Sequence, residues 1–397
     1  MTKAAAGKPM LAALPGLRPG IEALETQQIM QVSTLALEDP NVIPLWYGES
    51  DVPTPAFICQ AAADALAAGH TFYTHKWGIP ELRETLVRYG EGLYGIDLDV
   101  DRITVTSSGM TGIMMLMQAL VDPGDNVIVV DPIWPNAAAA AEVMGGEVRR
   151  VGLEADAAGA WRLDLERVLD SADERTRLVF VNSPGNPTGW MMSRAEQQAL
   201  LDFCRERGMW VVADEVYARI VYEGAHAPSF LEIADPEDPV IVVNSFSKSW
   251  AMTGWRMGWL THPAAIRDDL GNLVEYNTSG TPAFLQHAGV TAVSQGEDFV
   301  ASMVARCRTG REVVSRRLAE LPRVTYSPPE AAFYAFFALE GMDNSLSFAQ
   351  RLVHEAGVGL APGTAFGPHG EGWLRLCFAR APGSLEEAMD RLAKALA

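Results

Sequence analysis

Val240-Ile-Val-Val-Asn244-Ser-Phe-Ser-Lys248-Ser-Trp-Ala-Met-Thr-Gly-Trp-Arg256-Met-Gly258 joins four consecutive aliphatic residues to a loop of small, hydroxylic and basic ones. Four aliphatic residues without polar alternation predict a strand buried on both faces, as in a parallel sheet covered by helices. The residues after it then leave a strand's carboxyl end, where open α/β sheets place ligands. Lys248 there offers an amine nucleophile. Ser245, Ser247 and Arg256 offer hydroxyls and a bidentate guanidinium to an anion such as phosphate. A lone loop lysine is ordinarily a solvated charge, but the surrounding small residues and Gly254-Trp-Arg-Met-Gly258 argue against that reading.

Working outward, the same pattern recurs. Asn126–Val130, after the turn Asp122-Pro-Gly-Asp125, reads as a strand, as do Leu178–Val181 and Trp210–Ala213. Helical patterns fall between them at Thr111–Leu120, Asn136–Met144, Leu165–Leu169 and Arg194–Arg207. Alternating strands and helices predict an α/β fold with a mostly parallel sheet. After about Ala283 the texture changes. A long helix is expected over Phe299–Leu321, strands at Ala332–Ala338, Gly359–Pro362 and Trp373–Phe378, and helices near Phe348–Ala356 and Leu385–Leu396. That reads as a smaller α+β domain. Ile21–Leu37 looks helical and is expected to pack on this second domain. The expected division is residues 1–45 as a tail and packing segment, 46–283 as the large domain and 284–397 as the small one.

The chain has 397 residues, 48% apolar and 20% charged, which suits two globular domains. Its net charge of −19 argues against nucleic acid and anionic membrane surfaces as partners. A few cations in a cleft can still serve an anionic small molecule. Cys59, Cys204, Cys307 and Cys377 have no metal-ligand spacing and read as reduced, buried thiols. The N-terminal apolar run Met10–Leu14 is short and flanked by prolines, unlike a signal peptide. A poorly ordered tail and a cytoplasmic protein are expected.

Three further segments carry chemistry. Asp214, in Ala213-Asp-Glu-Val-Tyr217, ends a predicted strand; it is either a helix cap or a carboxylate that keeps a heterocyclic nitrogen protonated. Asn182-Ser-Pro-Gly-Asn186-Pro-Thr-Gly189 is either a tight turn or a rigid loop presenting Asn186 to a ligand oxygen. Thr106-Ser-Ser-Gly109-Met-Thr-Gly112 opens a predicted helix, by plain capping or with amides free for a phosphate.

In this order, these segments resemble the class I/II aminotransferases, fold-type I pyridoxal-phosphate enzymes close to the aspartate aminotransferase family. The resemblance runs from about Leu17 to the C-terminus and implies a large domain with a seven-stranded-type sheet. It implies that Lys248 carries pyridoxal 5′-phosphate in imine linkage and acts as general base. Asp214 resembles the partner of the pyridine nitrogen, and Tyr217 and Asn186 the residues bonded to the phenolic oxygen. Ser245, Ser247, Arg256 and the backbone of Gly109, Met110 and Thr111 resemble the phosphate ligands. Trp134, in Asp131-Pro-Ile-Trp134-Pro, resembles the aromatic residue stacked on the ring, although alone it would read as core. Arg375, in Gly372-Trp-Leu-Arg375, resembles the clamp on the substrate α-carboxylate, and Gly48 the glycine beside that carboxylate. Tyr73 resembles a tyrosine reaching the neighbouring subunit's phosphate, which implies a homodimer with shared active sites.

The implied reaction moves an amino group between an amino acid and a 2-oxo acid. Some aspartate-type members carry a lysine where Met110 stands here, and Tyr276-Asn-Thr-Ser-Gly-Thr-Pro282 has no basic residue. Both departures point away from a strict aspartate specialist and towards an apolar or broad pocket. His75, Lys76 and Trp77 could enter it, but each reads first as a surface or interface residue, and His75 and Lys76 are the only cations on offer for a second carboxylate. Lyase, replacement and cyclising enzymes share these motifs and stay open as alternatives. A regulatory cofactor-binding domain would need a basic DNA-binding module, for which the roughly 20 residues before the fold are too few.

Overall fold

Aliphatic strands stack side by side when both of their faces can be covered, and seven strands do so here. They are β1 (Ile103–Thr106), β2 (Asn126–Asp131), β3 (Glu147–Gly152), β4 (Thr176–Asn182), β5 (Trp210–Asp214), β6 (Val240–Ser245) and β7 (Gly258–Thr261). Their order across the sheet is β1-β7-β6-β5-β4-β2-β3, with β7 antiparallel to both neighbours and the other pairings parallel. The period of two sorts each strand between two cores. Ile128, Val179, Val211 and Val242 face one cluster, while Val129, Phe180, Val212 and Val243 face the other. The structure is a computed structural model and describes residues 16–396. The tail expected over the first residues lies outside that range up to residue 15.

The helices, in chain order, are α1 (Pro19–Glu22), α2 (Gln28–Ser33), α3 (Ala56–Ala67), α4 (Pro80–Tyr94), α5 (Gly109–Leu120), α6 (Asn136–Met144), α7 (Leu165–Asp170), α8 (Arg194–Arg207), α9 (Arg267–Thr278), α10 (Ala283–Gln295), α11 (Glu297–Ala319), α12 (Ser345–Ala356) and α13 (Pro382–Leu396). Helix α8 starts where Ser193 and Glu196 form a reciprocal capping box. The second sheet contains β8 (Val324–Thr325), β9 (Tyr334–Leu339), β10 (Ala361–Pro362) and β11 (Trp373–Cys377), ordered β8-β9-β11-β10 and antiparallel.

Three expectations need correction. The single helix over Ile21–Leu37 is two short helices, α1 and α2, separated by Ala23–Gln27. Its apolar residues do not keep one helical face: Leu24, Met30, Leu35 and Leu37 are exposed, while Ile29 and Val32 are buried. Only α2 packs on α12 and β10; α1 touches α6. The strand over Gly359–Pro362 is split: Val358–Gly359 pairs with Ile43–Pro44, and Ala361–Pro362 pairs with β11. Cys59 is exposed, unlike the other three thiols.

The expected start of the small domain, residue 284, falls inside α10. The buried Ala288 and Ala292 of α10 pack with Ile58, Leu82, Phe246 and Trp250 of the large domain. Val300 in the first turn of α11 still belongs to that cluster, whereas Met303, Cys307, Val314 and Leu318 of α11 and Leu385 and Leu392 of α13 join Tyr334, Phe337 and Leu376. We therefore propose that the change of core comes within α11, between Val300 and Met303.

Candidate active site

The carboxyl ends of β4, β5 and β6 converge on one cavity of about 220 Å³. Asp214 closes β5, opposite Asn182 of β4, whose side-chain amide donates to the Asp214 carbonyl at 3.0 Å. Lys248 follows β6 in the next loop. Helix α5 brings Gly109 and Met110 to the same space, and β11 contributes Arg375 from the second domain.

Gly48, Gly109, Met110, Trp134, Asn186, Asp214, Tyr217, Ser245, Ser247, Lys248, Arg256 and Arg375 all line this cavity. Thr111 does not; its amide already donates to the capping Ser108 Oγ at 3.0 Å. Tyr73 is 92% exposed and lies outside it. Nor do His75, Lys76 and Trp77 enter it, which agrees with their reading as surface or interface residues. Lys76 Nζ donates to Asn272 Oδ1 at 2.8 Å and Trp77 Nε1 to the Arg267 carbonyl at 3.0 Å, while His75 borders a surface hollow with Tyr73.

The anion end is built from close backbone packing. Ser247 N and Ser247 Oγ stand 3.1 and 2.9 Å from Ser245 Oγ. Arg256 holds a left-handed backbone, φ 53°, and donates from Nη1 to the Thr253 carbonyl at 2.6 Å. A Cβ on Gly258 would come within 2.6 Å of the Gly109 nitrogen and 2.7 Å of the Asn244 carbonyl oxygen. Only glycine lets the end of β6 and the start of α5 approach this closely.

Burial sets the charges. Lys248 Nζ donates to the Gly48 carbonyl at 2.7 Å, and desolvation pulls its pKa down to about 8. Asp214 is pushed up to about 6, chiefly by desolvation, which the Val216 amide at 3.2 Å and the nearby Lys248 charge oppose. The Tyr217 hydroxyl lies 2.6 Å from that of Tyr334, and burial drives both phenols above their ordinary value. Arg375 is 2% exposed. It donates from Nη1 to Asn186 Oδ1 at 2.8 Å and from Nη2 to the Trp46 carbonyl, and its guanidinium lies 4.6 Å from the Tyr334 ring centre. Its Nε has no protein partner among the described residues.

Tyr334, Asn182, Tyr47 and Gln27 also line the cavity and were not among the expected site residues. Tyr334 stands in an otherwise apolar strand, and that lone hydroxyl was the available signal. Asn182 lay inside a quoted motif. Nothing in the sequence marked Gln27, which arrives from a distant segment and donates to Asn136 Oδ1.

These features suit pyridoxal 5′-phosphate. Hydroxyls, helix-start amides and a guanidinium can take a phosphate dianion. A buried carboxylate can face a ring nitrogen, and a desolvated amine can meet an aldehyde. The sequence model of the family "Aminotransferase class I and II" matches residues 40–395. An aspartate aminotransferase of Pyrococcus horikoshii is 34% identical over 94% of this chain and 95% of its own length. An arginine–pyruvate transaminase of Pseudomonas aeruginosa is 32% identical, covering 89% of each. The solved alanine aminotransferase of Pyrococcus furiosus superposes with a TM-score of 0.89 at 27% identity, over 96% of this chain and 99% of the other. The matched span contains every site residue expected from the sequence, and the chain belongs to the class I and II aminotransferases, as a pyridoxal-phosphate-dependent enzyme acting on amino and 2-oxo acids.

Proposed function

We propose that this enzyme works through Lys248, Asp214, Tyr217 and Arg375 on amino acids with uncharged side chains. When bound, the cofactor supplies an electron sink for the negative charge left at the substrate's α-carbon. Lys248 Nζ is the group that takes the α-proton and later returns it. Its lowered pKa supports that role, because a larger fraction of the amine is neutral near pH 7 and free to act as nucleophile or base. Asp214, anionic above about pH 6, keeps the facing ring nitrogen protonated. Tyr217 and Asn186 would hold the cofactor's phenolic oxygen, and Trp134 would lie against its ring. Ser245, Ser247, Arg256 and the Gly109 and Met110 amides grip the phosphate. Arg375 orients the substrate by its α-carboxylate beside Gly48, excluding water from a buried clamp.

One observation carries the reading: a desolvated lysine and a buried carboxylate share one cleft with a buried arginine contributed by the second sheet. The substrate class rests on the lining. Beyond Lys248, Arg256 and Arg375, it holds no cation among the described residues, and Ile29, Met110 and Ile113 are apolar. A panel of amino donors and 2-oxo acceptors tests this. Neutral donors should be favoured over aspartate and glutamate by kcat/KM; a clear preference for the acidic pair rejects the substrate class.

The compartment and assembly belong to the same proposal. No helix among the described residues is long and apolar enough to cross a membrane. We place the enzyme in the cytoplasm, as a homodimer. Phe72, Tyr73 and Tyr276 are 83%, 92% and 86% exposed, large aromatic surface that suits burial against a second copy. Tyr73 would then complete the partner's phosphate site.

A further inference from the structure

Arg375 is reached by two contacts from the large domain that the chemistry above leaves unused. The first is polar. Asp131, fully buried at the end of β2, has Oδ1 2.7 Å from Nδ1 of His369 and Oδ2 3.7 Å from Nη1 of Arg150 on β3. Two residues on, the Ile133 amide donates to the Phe366 carbonyl at 2.8 Å. His369 and Phe366 lie in the segment just before β11. The Phe366 ring in turn lies 4.8 Å from the Arg375 guanidinium. A Cβ on Gly367 would come within 2.2 Å of Asp131 Oδ2, so this junction tolerates no side chain there.

The second contact is aromatic. Trp161, on the hairpin after β3, stacks on Phe336 at 5.6 Å and 29° and meets Trp373 at 4.6 Å. Phe336 is the β9 partner of Arg375 in register, and Trp373 is on the same face of β11, two residues before it. The large domain thus holds the arginine's ring support and its strand at once.

We infer that His369 is a positioning residue for Arg375: through Asp131 it locks Phe366, and so sets where the guanidinium meets the substrate's α-carboxylate. The inference rests on the reading of Arg375 as that clamp. His369 never touches substrate, and its side chain is 39% exposed, so replacing it removes the lock without opening the core. The groups facing Asp131 among the described residues are His369 and Arg150; the lock therefore depends on one hydrogen bond that a neutral amide can imitate.

The test uses the holoenzyme in single-turnover half-reactions, following loss of the oxidised cofactor spectrum. The donors are an amino acid and the primary amine that is the same molecule without its α-carboxylate. His369→Ala should weaken apparent binding of the amino acid about tenfold, the scale of one misplaced charge-assisted hydrogen bond, and leave the amine's rate constant unchanged. His369→Asn, whose amide nitrogen can occupy the Nδ1 position, should restore the wild-type preference. Equal losses for both donors in His369→Ala, or no loss for either, overturn the inference. Arg375→Ala separates the two readings. If it abolishes the preference for the amino acid while His369→Ala does not, only the positioning role fails. If Arg375→Ala keeps the preference, the clamp fails and the inference fails with it.

Discussion

The Tyr217 hydroxyl stands 2.6 Å from the Tyr334 hydroxyl, so a loop after β5 and a strand of the second domain share one buried hydrogen bond above the cavity. Tyr334→Phe leaves the Tyr217 hydroxyl without this partner. Losing a buried hydrogen bond costs about 1–3 kcal/mol. The denaturation midpoint of the variant should fall accordingly, and kcat/KM should drop because Tyr217 is freed to rotate. An unchanged midpoint together with an unchanged rate would show that the pair holds nothing.

Gly258 and Gly254 make a matched test of the phosphate end. A methyl on Gly258 meets backbone atoms at 2.6 and 2.7 Å, whereas a methyl on Gly254 meets nothing within 4 Å. Forcing extra volume into packed backbone costs about 1–3 kcal/mol. Gly258→Ala should therefore loosen cofactor binding by roughly 10- to 100-fold, read from the fraction retained on dialysis. Gly254→Ala should bind as the wild type does. Similar behaviour of the two variants argues against close packing as the basis of the site.

Cofactor capture should depend on pH through Lys248. The amine must be neutral to attack an aldehyde, and burial lowers its pKa to about 8. Recombination of the apoenzyme with pyridoxal phosphate should accelerate as pH rises towards 8 and level off above it. A rise that continues to pH 10 would mean an amine exposed to solvent, contrary to its burial.

Glu215 sits next to Asp214 but faces away from the cavity. It accepts from Ser229 Oγ at 2.6 Å and from the Phe230 amide at 3.0 Å, and desolvation pushes its pKa up to about 8. The folded state then holds a proton that the unfolded chain releases near its ordinary value of 4.5. Stability from this group is full below about 4.5 and falls as pH rises towards 8. Glu215→Gln should flatten that decline and be the more stable form at pH 8, as measured by urea midpoints across the range. A parallel pH dependence in both proteins contradicts the assignment.

Shared sites predict complementation. Lys248→Ala and Tyr73→Ala subunits, mixed by unfolding and refolding, should form heterodimers with one intact site. Random pairing would yield about a quarter of the wild-type activity per subunit. Activity no greater than the average of the two unmixed variants rules out a Tyr73 contribution across the interface.

Four strands of the large domain were legible because β2, β4, β5 and β6 are aliphatic runs buried on both faces. Strand β1 and the edge strand β3, Glu147-Val-Arg-Arg-Val-Gly152, half-exposed and charged, were not expected. Residues 136–144 and 194–207 are helical over the same bounds that their patterns predicted. Antiparallel β7 was less visible: Gly258-Trp-Leu-Thr261 lacks a long aliphatic run. The N-terminal segment was misread because α2 owes its position to contacts with α12 and β10, hundreds of residues away, and not to a helical face of its own.

By itself the sequence determined the identity of the chemical groups and their attachment to strand ends: Asp214 after β5, Lys248 after β6 and the glycines around Arg256. Local chain geometry makes those links, so spacing reveals them. Only the tertiary structure decided how the second domain closes the site. Tyr334, Gln27 and the Asp131–His369 lock meet the cavity or its arginine through contacts between distant segments. Such contacts depend on the packing of two cores, and no periodicity in either segment encodes them.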